Sequence, residues 1–159
     1  MRIGHGYDVH RYKNGRKCVI CGVEIPSEFG PDGHSDADVA THALMDALLG
    51  AAAMGDIGKL FPDTDMKYKN ISSMYLLEKT VEAIGDKGYV LSNADITIVA
   101  QRPKFSPYID KMRQSIADVI GVDIDRISVK ATTEEHLGFT GRGEGIAAHA
   151  VCLVSSEER

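Results

Sequence analysis

The chain reads as a single α+β domain over residues 1–159, with one mixed sheet of four-stranded type and helices packed on one of its faces. Three observations lead there. Strand-like and helix-like stretches alternate in the order ββαα-βα-ββ. The helical stretches are amphipathic on one face. The last strand is apolar on both sides, with Ile146, Ala148, Ala150, Cys152 and Val154 on one and Ala147, Val151 and Leu153 on the other. One helical layer covers one side of a sheet, so the second apolar side is expected to pack against further copies of the chain, as a homo-oligomer.

The first strand is expected over residues 2–12, with residues 17–25 as its antiparallel partner through a turn at Lys13-Asn14-Gly15, since Asn-Gly is a strong hairpin signal. Residues 26–33 are rich in turn formers and read as a loop. A helix is expected over residues 36–54, capped by Ser35 with Asp38 three residues on as an approximate capping box, and ended by Gly55. Residues 56–71 carry Gly, Pro and polar residues without a sustained period, which predicts a long loop of the kind that often serves as a lid. A second helix covers residues 72–86 and a strand residues 89–101. Pro103 and Pro107 open a third helix over residues 107–120, stopped by Gly121; a strand follows at 126–133, then a turn at 137–141 and the last strand at 144–154.

Composition narrows the function. Hydrophobic residues make up 43% of the chain, enough for a globular core, and the net charge of -5 with dispersed Lys and Arg argues against nucleic acid or an anionic membrane as partner. No apolar run approaches the ~20 residues of a membrane span. The N-terminus shows no secretory or transit pattern, and three cysteines do not suggest a disulfide framework, so a cytoplasmic location is expected. Cys18 and Cys21 have CxxC spacing; a pair of core thiols is favoured over a redox or metal pair, since neither a second CxxC nor a βαβ pattern accompanies them.

Four constellations carry chemistry. Asp8 and His10 sit at i and i+2 of a strand and share a face; His42 lies on the first predicted helix with Asp46 one turn on. Together Asp8, His10 and His42 would make a three-ligand site with an open position, the pattern of catalytic zinc, with Asp46 holding the other ring nitrogen of His42. Exposed polar residues without a metal are the alternative. His34-Ser35-Asp36 precedes the helix and suits either an anion site or a plain cap. Asp56 to Asp63 could bind polyol hydroxyls or simply make turns. Lys130 to Glu135, with Gly138 to Gly145, offers hydroxyls, backbone N–H groups, Arg142 and carboxylates that suit a diphosphate and its cation, or again a turn; it is neither a Walker loop nor a dinucleotide fingerprint.

Three stretches, MRIGHGYDVH, HSDADVATHALMDALLGAAAMGDIGKLFPDTD and VKATTEEHLGFTGRGEGIAAHAV, resemble the 2-C-methyl-D-erythritol 2,4-cyclodiphosphate synthase family in order and spacing, over almost the whole chain. The resemblance implies a homotrimer built around the outer face of the sheet, with active sites between subunits. It implies conversion of 4-diphosphocytidyl-2-C-methyl-D-erythritol 2-phosphate to the cyclic diphosphate with loss of CMP, in the non-mevalonate isoprenoid precursor pathway. Zinc would sit on Asp8, His10 and His42, with Val9 between them in the substrate-binding stretch. Mg2+ or Mn2+ would sit on Glu135. The methylerythritol part would meet Asp56, Ile57, Gly58, Phe61, Pro62, Asp63, Thr64 and Asp65, and phosphate would meet His34 and Ser35. Cytidine would meet Ala100, Gln101, Arg102, Pro103, Lys104, Phe105 and Ser106 with Ala131, Thr132 and Thr133 of a neighbouring subunit. His34 and Thr133 would serve catalysis, and Phe139 and Arg142 would lie near the substrate or the trimer axis. Glu134 stands where a neutral residue is expected, and Phe105 and Ser106 depart in the cytidine wall. A single activity is expected, without the fused cytidylyltransferase of some relatives. Two other readings are a zinc phosphohydrolase of a nucleotide diphosphate, and a non-catalytic trimeric nucleotide-binding module with structural zinc. The latter normally has four protein ligands, for which Cys18 and Cys21 are the candidates.

Overall fold

The computed structural model describes residues 1–156. Its centre is a mixed sheet of five strands rather than four: β1 (Arg2–Asn14), β4 (Phe29–Pro31), β5 (Tyr89–Val99), β6 (Ile127–Thr132) and β7 (Gly145–Ser156), in the order β4-β1-β7-β5-β6. The fifth strand is short and extends the β1 edge, antiparallel through Tyr12 opposite Pro31. β7 runs antiparallel to both β1 and β5, and β6 alone is parallel, to β5, as expected for strands joined by a helical crossover.

Residues 17–25 do not pair with β1. They form a separate hairpin, β2 (Cys18–Ile20) and β3 (Val23–Ile25), because Cys21 and Gly22 take left-handed φ of 50° and 73° and fold the segment on itself. The Asp38 carboxylate fastens this turn by accepting the N–H groups of Cys21 at 2.9 Å and Gly22 at 2.8 Å. All three cysteines are buried and free, as core thiols.

Helix α1 (Val39–Ala51) starts three residues later than expected. Ala37 is left-handed at φ 58°, which bars a helix through it, and Asp38 instead of Ser35 caps the end by accepting the N–H of Thr41 at 3.1 Å. It is not one-sided: Asp46 and Gly50 are its only positions not buried, since it is wedged between the sheet, the β2–β3 hairpin and the second long helix. Its contact with β1 is very close. A methyl group added at Gly4 would meet the Ala47 carbonyl oxygen at 1.8 Å, and one at Gly6 the Ala43 carbonyl oxygen at 1.8 Å.

The segment 56–71 is not one loop. It holds a short helix α2 (Ile57–Leu60) and a 3-10 turn Met66–Tyr68, each capped by an aspartate, Asp56 and Asp65. Helices α3 (Ser73–Asp86) and α4 (Ile109–Ile120) are amphipathic and complete the layer. The turn at 137–141 contains a single helical turn, α5 (Gly138–Gly141). The other sheet face stays open, with Ile3, Tyr7, Val9 and Val151 exposed on it.

Candidate metal centre

Alternation along β1 sends Gly4, Gly6, Asp8 and His10 toward the helices. The two glycines bring α1 down on the strand, and His42, in its first turn, meets Asp8 and His10. Asp8 Oδ2 is 2.8 Å from His10 Nε2 and 3.2 Å from His42 Nδ1, and the two ring nitrogens are 3.4 Å apart.

The partners of the opposite ring nitrogens assign the tautomers. His10 Nδ1 is 2.9 Å from the Asp32 carbonyl oxygen, which can only accept, so Nδ1 carries the proton and Nε2 presents a lone pair. His42 Nε2 is 2.9 Å from Ser73 Oγ and 3.2 Å from Ser35 Oγ. The Ser73 hydroxyl proton goes to the Asp36 carboxylate, so Ser73 accepts from Nε2–H and His42 Nδ1 also presents a lone pair. A carboxylate oxygen and two nitrogen lone pairs therefore face one point, and the three donor atoms lie within 4.8 Å of one another. Such a set repels itself unless a cation sits among its members. With protons alone, burial pushes the Asp8 carboxyl up, but hydrogen bonds and charge from His10 and His42 outweigh it and hold it at about 2. Burial pushes His10 down, yet the adjoining Asp8 carboxylate holds it above its ordinary value. One oxygen and two imidazole ligands with an open side suit a borderline divalent cation such as zinc.

The expected role of Asp46 is not met. Its carboxylate accepts the Ile57 N–H at 2.8 Å and anchors α2, while Ser73 and Ser35 occupy the His42 nitrogen intended for it. Ser73 and the Asp32 carbonyl went unnoticed in the sequence because 31 residues separate Ser73 from His42 and 22 separate Asp32 from His10, with no periodicity to link them, while Asp36 reads from the sequence only as part of an anion site or cap.

A pocket of about 250 Å³ opens above the centre, lined by Asp8, His10, His34, Ser35, His42, Ile57, Gly58, Phe61 and Asp63 of the expected residues and by Tyr68 and Leu76 in addition. His34 Nε2 is buried there with no hydrogen-bond partner among the described residues. Asp56, Pro62, Thr64 and Asp65 are not in its wall; Asp56 and Asp65 spend a carboxylate oxygen on helix caps. Val9 faces the opposite side of the sheet and is exposed.

The remaining expected residues form a second region at the carboxyl ends of β5 and β6. Parallel pairing sets Ile98 beside Ala131 and Val99 beside Thr132, and the Ala100 N–H donates to the Thr132 carbonyl at 3.1 Å. Gln101 accepts the His136 N–H at 3.1 Å, tying 101–106 to the turn after Thr133. Arg102, Lys104 and Ser106 are exposed, as are Thr132 and Glu135, whereas Pro103 is half-buried. Phe105 is in the core, so it offers a ligand backbone alone. Glu135 and His136 are left-handed at φ 52° and 64°, a strained arrangement for two successive side-chain residues. Glu134 turns toward the Thr140 hydroxyl, which donates to it, and Arg142 pairs with Glu144 at 3.0 Å. Phe139 is half-buried beside them. Within one chain, no residue of this region lines the pocket of the Asp8 centre.

The sequence matches the YgbB family over residues 1–155. It is 60% identical over 156 residues to the 2-C-methyl-D-erythritol 2,4-cyclodiphosphate synthase of Lachnospira eligens (strain ATCC 27750 / DSM 3376 / VPI C15-48 / C15-B4), covering 98% of this chain and 85% of that one. The bifunctional IspDF from Campylobacter jejuni superposes with a TM-score of 0.96 at 44% identity; 99% of this chain is covered, but 42% of that longer chain. A 2C-methyl-D-erythritol-2,4-cyclodiphosphate synthase in its CDP-bound form superposes with a TM-score of 0.89 at 38% identity, over 97% of this chain and 100% of the other.

Proposed function

The chain belongs to the YgbB family, and we propose on that footing that the Asp8–His10–His42 centre is where it carries out the cyclodiphosphate synthase step of isoprenoid biosynthesis. The observation that carries this reading is the convergence of three acceptor atoms beneath a pocket whose wall holds an unpartnered histidine nitrogen.

The substrate is 4-diphosphocytidyl-2-C-methyl-D-erythritol 2-phosphate. An oxygen of the 2-phosphate attacks the β-phosphorus, the bond from that phosphorus to the oxygen bridging the α-phosphate breaks, and CMP leaves with the bonding pair. The nucleophile is already an anion at neutral pH, so no strong base is needed. What opposes the step is repulsion between phosphates and the entropy of closing the ring, so positioning and charge neutralisation dominate.

Asp8, His10 and His42 would hold zinc, which when bound supplies positive charge to phosphate oxygens. His34 donates from Nε2 to phosphate, and the Ser35 hydroxyl lies beside it. The methylerythritol part rests against Ile57, Gly58, Phe61 and Asp63 on the α2 segment, with Asp56, Pro62, Thr64 and Asp65 at its margin. Glu135 would hold Mg2+ or Mn2+; a single carboxylate suffices because magnesium keeps waters and takes the rest of its shell from substrate phosphates. Ala100 to Ser106 and Ala131 to Thr133 bind cytidine, the Thr133 hydroxyl donates to the diphosphate, and Phe139 and Arg142 sit at the rim.

That second region reaches the pocket from a neighbouring copy in a homotrimer. The exposed Ile3, Tyr7, Val9 and Val151 on the open sheet face support such packing. The CDP-bound relative supports a cytidine nucleotide at the site. The three buried thiols fit a reducing cytoplasm. The ligand assignment is tested by His42→Ala. Metal content and turnover are expected to fall together; a variant that keeps its full complement of zinc would remove His42 from the centre.

A further inference from the structure

The centre works as a set of lone pairs only while His42 keeps its proton on Nε2, and the structure shows what keeps it there. Ser73 is fully buried, and its Oγ lies 2.9 Å from His42 Nε2. Its hydroxyl donates to Asp36 Oδ1, and its own N–H donates to Asp36 Oδ2 at 3.0 Å. Asp36 also accepts the Asp38 N–H at 3.2 Å, and its N–H donates to the Ile71 carbonyl at 3.2 Å. A carboxylate that receives three donors has no proton to give, so every hydrogen bond in the line points one way: from His42 Nε2–H to Ser73, and from Ser73 to Asp36.

We propose that Asp36 and Ser73 are positioning residues that fix the His42 tautomer and ring plane for the metal centre. The proposal deepens the metal-centre reading and rests on it. The effect belongs to Asp36, although Asp46 looks the better placed from its position one turn along α1. It also joins the centre to the α2 segment, because Ser73 is the first residue of α3 and Asp36 clasps the end of residues 56–71.

Asp36→Asn keeps the shape but places an N–H2 where two donors already point. One of its orientations reverses the line: the amide donates to Ser73, Ser73 donates to His42 Nε2, and the ring proton moves to Nδ1, into the centre. Ser73→Ala removes the line to Asp36 with little change of volume and leaves His42 Nε2 only the longer contact to Ser35 Oγ at 3.2 Å. Both variants of the full chain are compared with the parent by titrating metal-free protein with Co2+ and by reading the ring 15N shifts of His42. Co2+ binding is expected to weaken about 10–100-fold, the usual consequence of removing an outer-shell partner. The visible Co2+ bands are expected to change, and His42 to gain Nδ1–H character. Folded variants with Co2+ affinity within about twofold of the parent and His42 still protonated at Nε2 alone would overturn the proposal. Should Asp36→Asn fail to fold, Ser73→Ala decides by the same readings. A parent that takes up no Co2+ overturns the metal-centre reading, and the ring shifts still decide the tautomer.

Discussion

At the scale of single residues, direction matters more than proximity. Asp8, His10 and His42 are arranged to hold a metal because each histidine spends its proton outward, His10 on the Asp32 carbonyl and His42 on Ser73. Both ring orientations are set by groups that the sequence places far away. The ligands themselves were legible: strand alternation joins Asp8 to His10, a histidine on the first helix offers the third ligand, and the resemblance favours that set over plain surface residues. Their supports were not, because an acceptor carbonyl and a serine at a helix start carry no pattern of their own. Thr133 shows the same logic in the second region. Its Oγ1 accepts the Glu135 N–H at 3.3 Å, which leaves the hydroxyl proton to donate outward. Thr133→Ala is expected to lower kcat by about 10²–10³-fold, the usual loss for one transition-state donor, with KM little changed. Steady-state kinetics check this; an unchanged kcat would take Thr133 out of the reaction.

At the scale of elements, the close seating of α1 on β1 sets the centre. Gly4 and Gly6 leave no room for a side chain beneath Ala47 and Ala43, and His42 reaches Asp8 because the helix lies that low. Gly6→Ala would force the Ala43 carbonyl oxygen away from an added methyl group 1.8 Å from it. A loss of about 3 kcal/mol is expected from such overpacking, together with weakened metal uptake as His42 lifts off. Chemical denaturation and metal titration check the pair; a variant as stable as the parent would contradict the role given to these glycines. Most elements were legible from their turns and periods, including α3, α4, β5, β6 and β7 to within a few residues. The failures lie where side chains beyond the local sequence decide. Asp38 caps α1 and clasps the turn at Cys21-Gly22, so a stretch that looks like one strand becomes a hairpin, and a helix that looks capped by Ser35 starts later.

At the scale of the whole molecule, the two candidate regions stand apart in one chain, and the open face across β1 and β7 exposes Ile3, Tyr7, Val9 and Val151 around the paired His5 and His149. The proposed homotrimer would account for both. Sedimentation equilibrium is expected to give about three times the 17.2 kDa chain mass; a monomer at micromolar concentration would contradict the shared site. From the sequence, the two-sided apolar character of β7 supplies the expectation of association, and family resemblance alone supplies the number of copies. The most direct test of the central claim is the product. The purified chain is loaded with zinc and magnesium, given 4-diphosphocytidyl-2-C-methyl-D-erythritol 2-phosphate and followed by phosphorus NMR. CMP appearing together with a cyclic diphosphate is the expected result. CMP appearing with a linear phosphate that carries solvent oxygen would contradict it, and would make the centre a hydrolase.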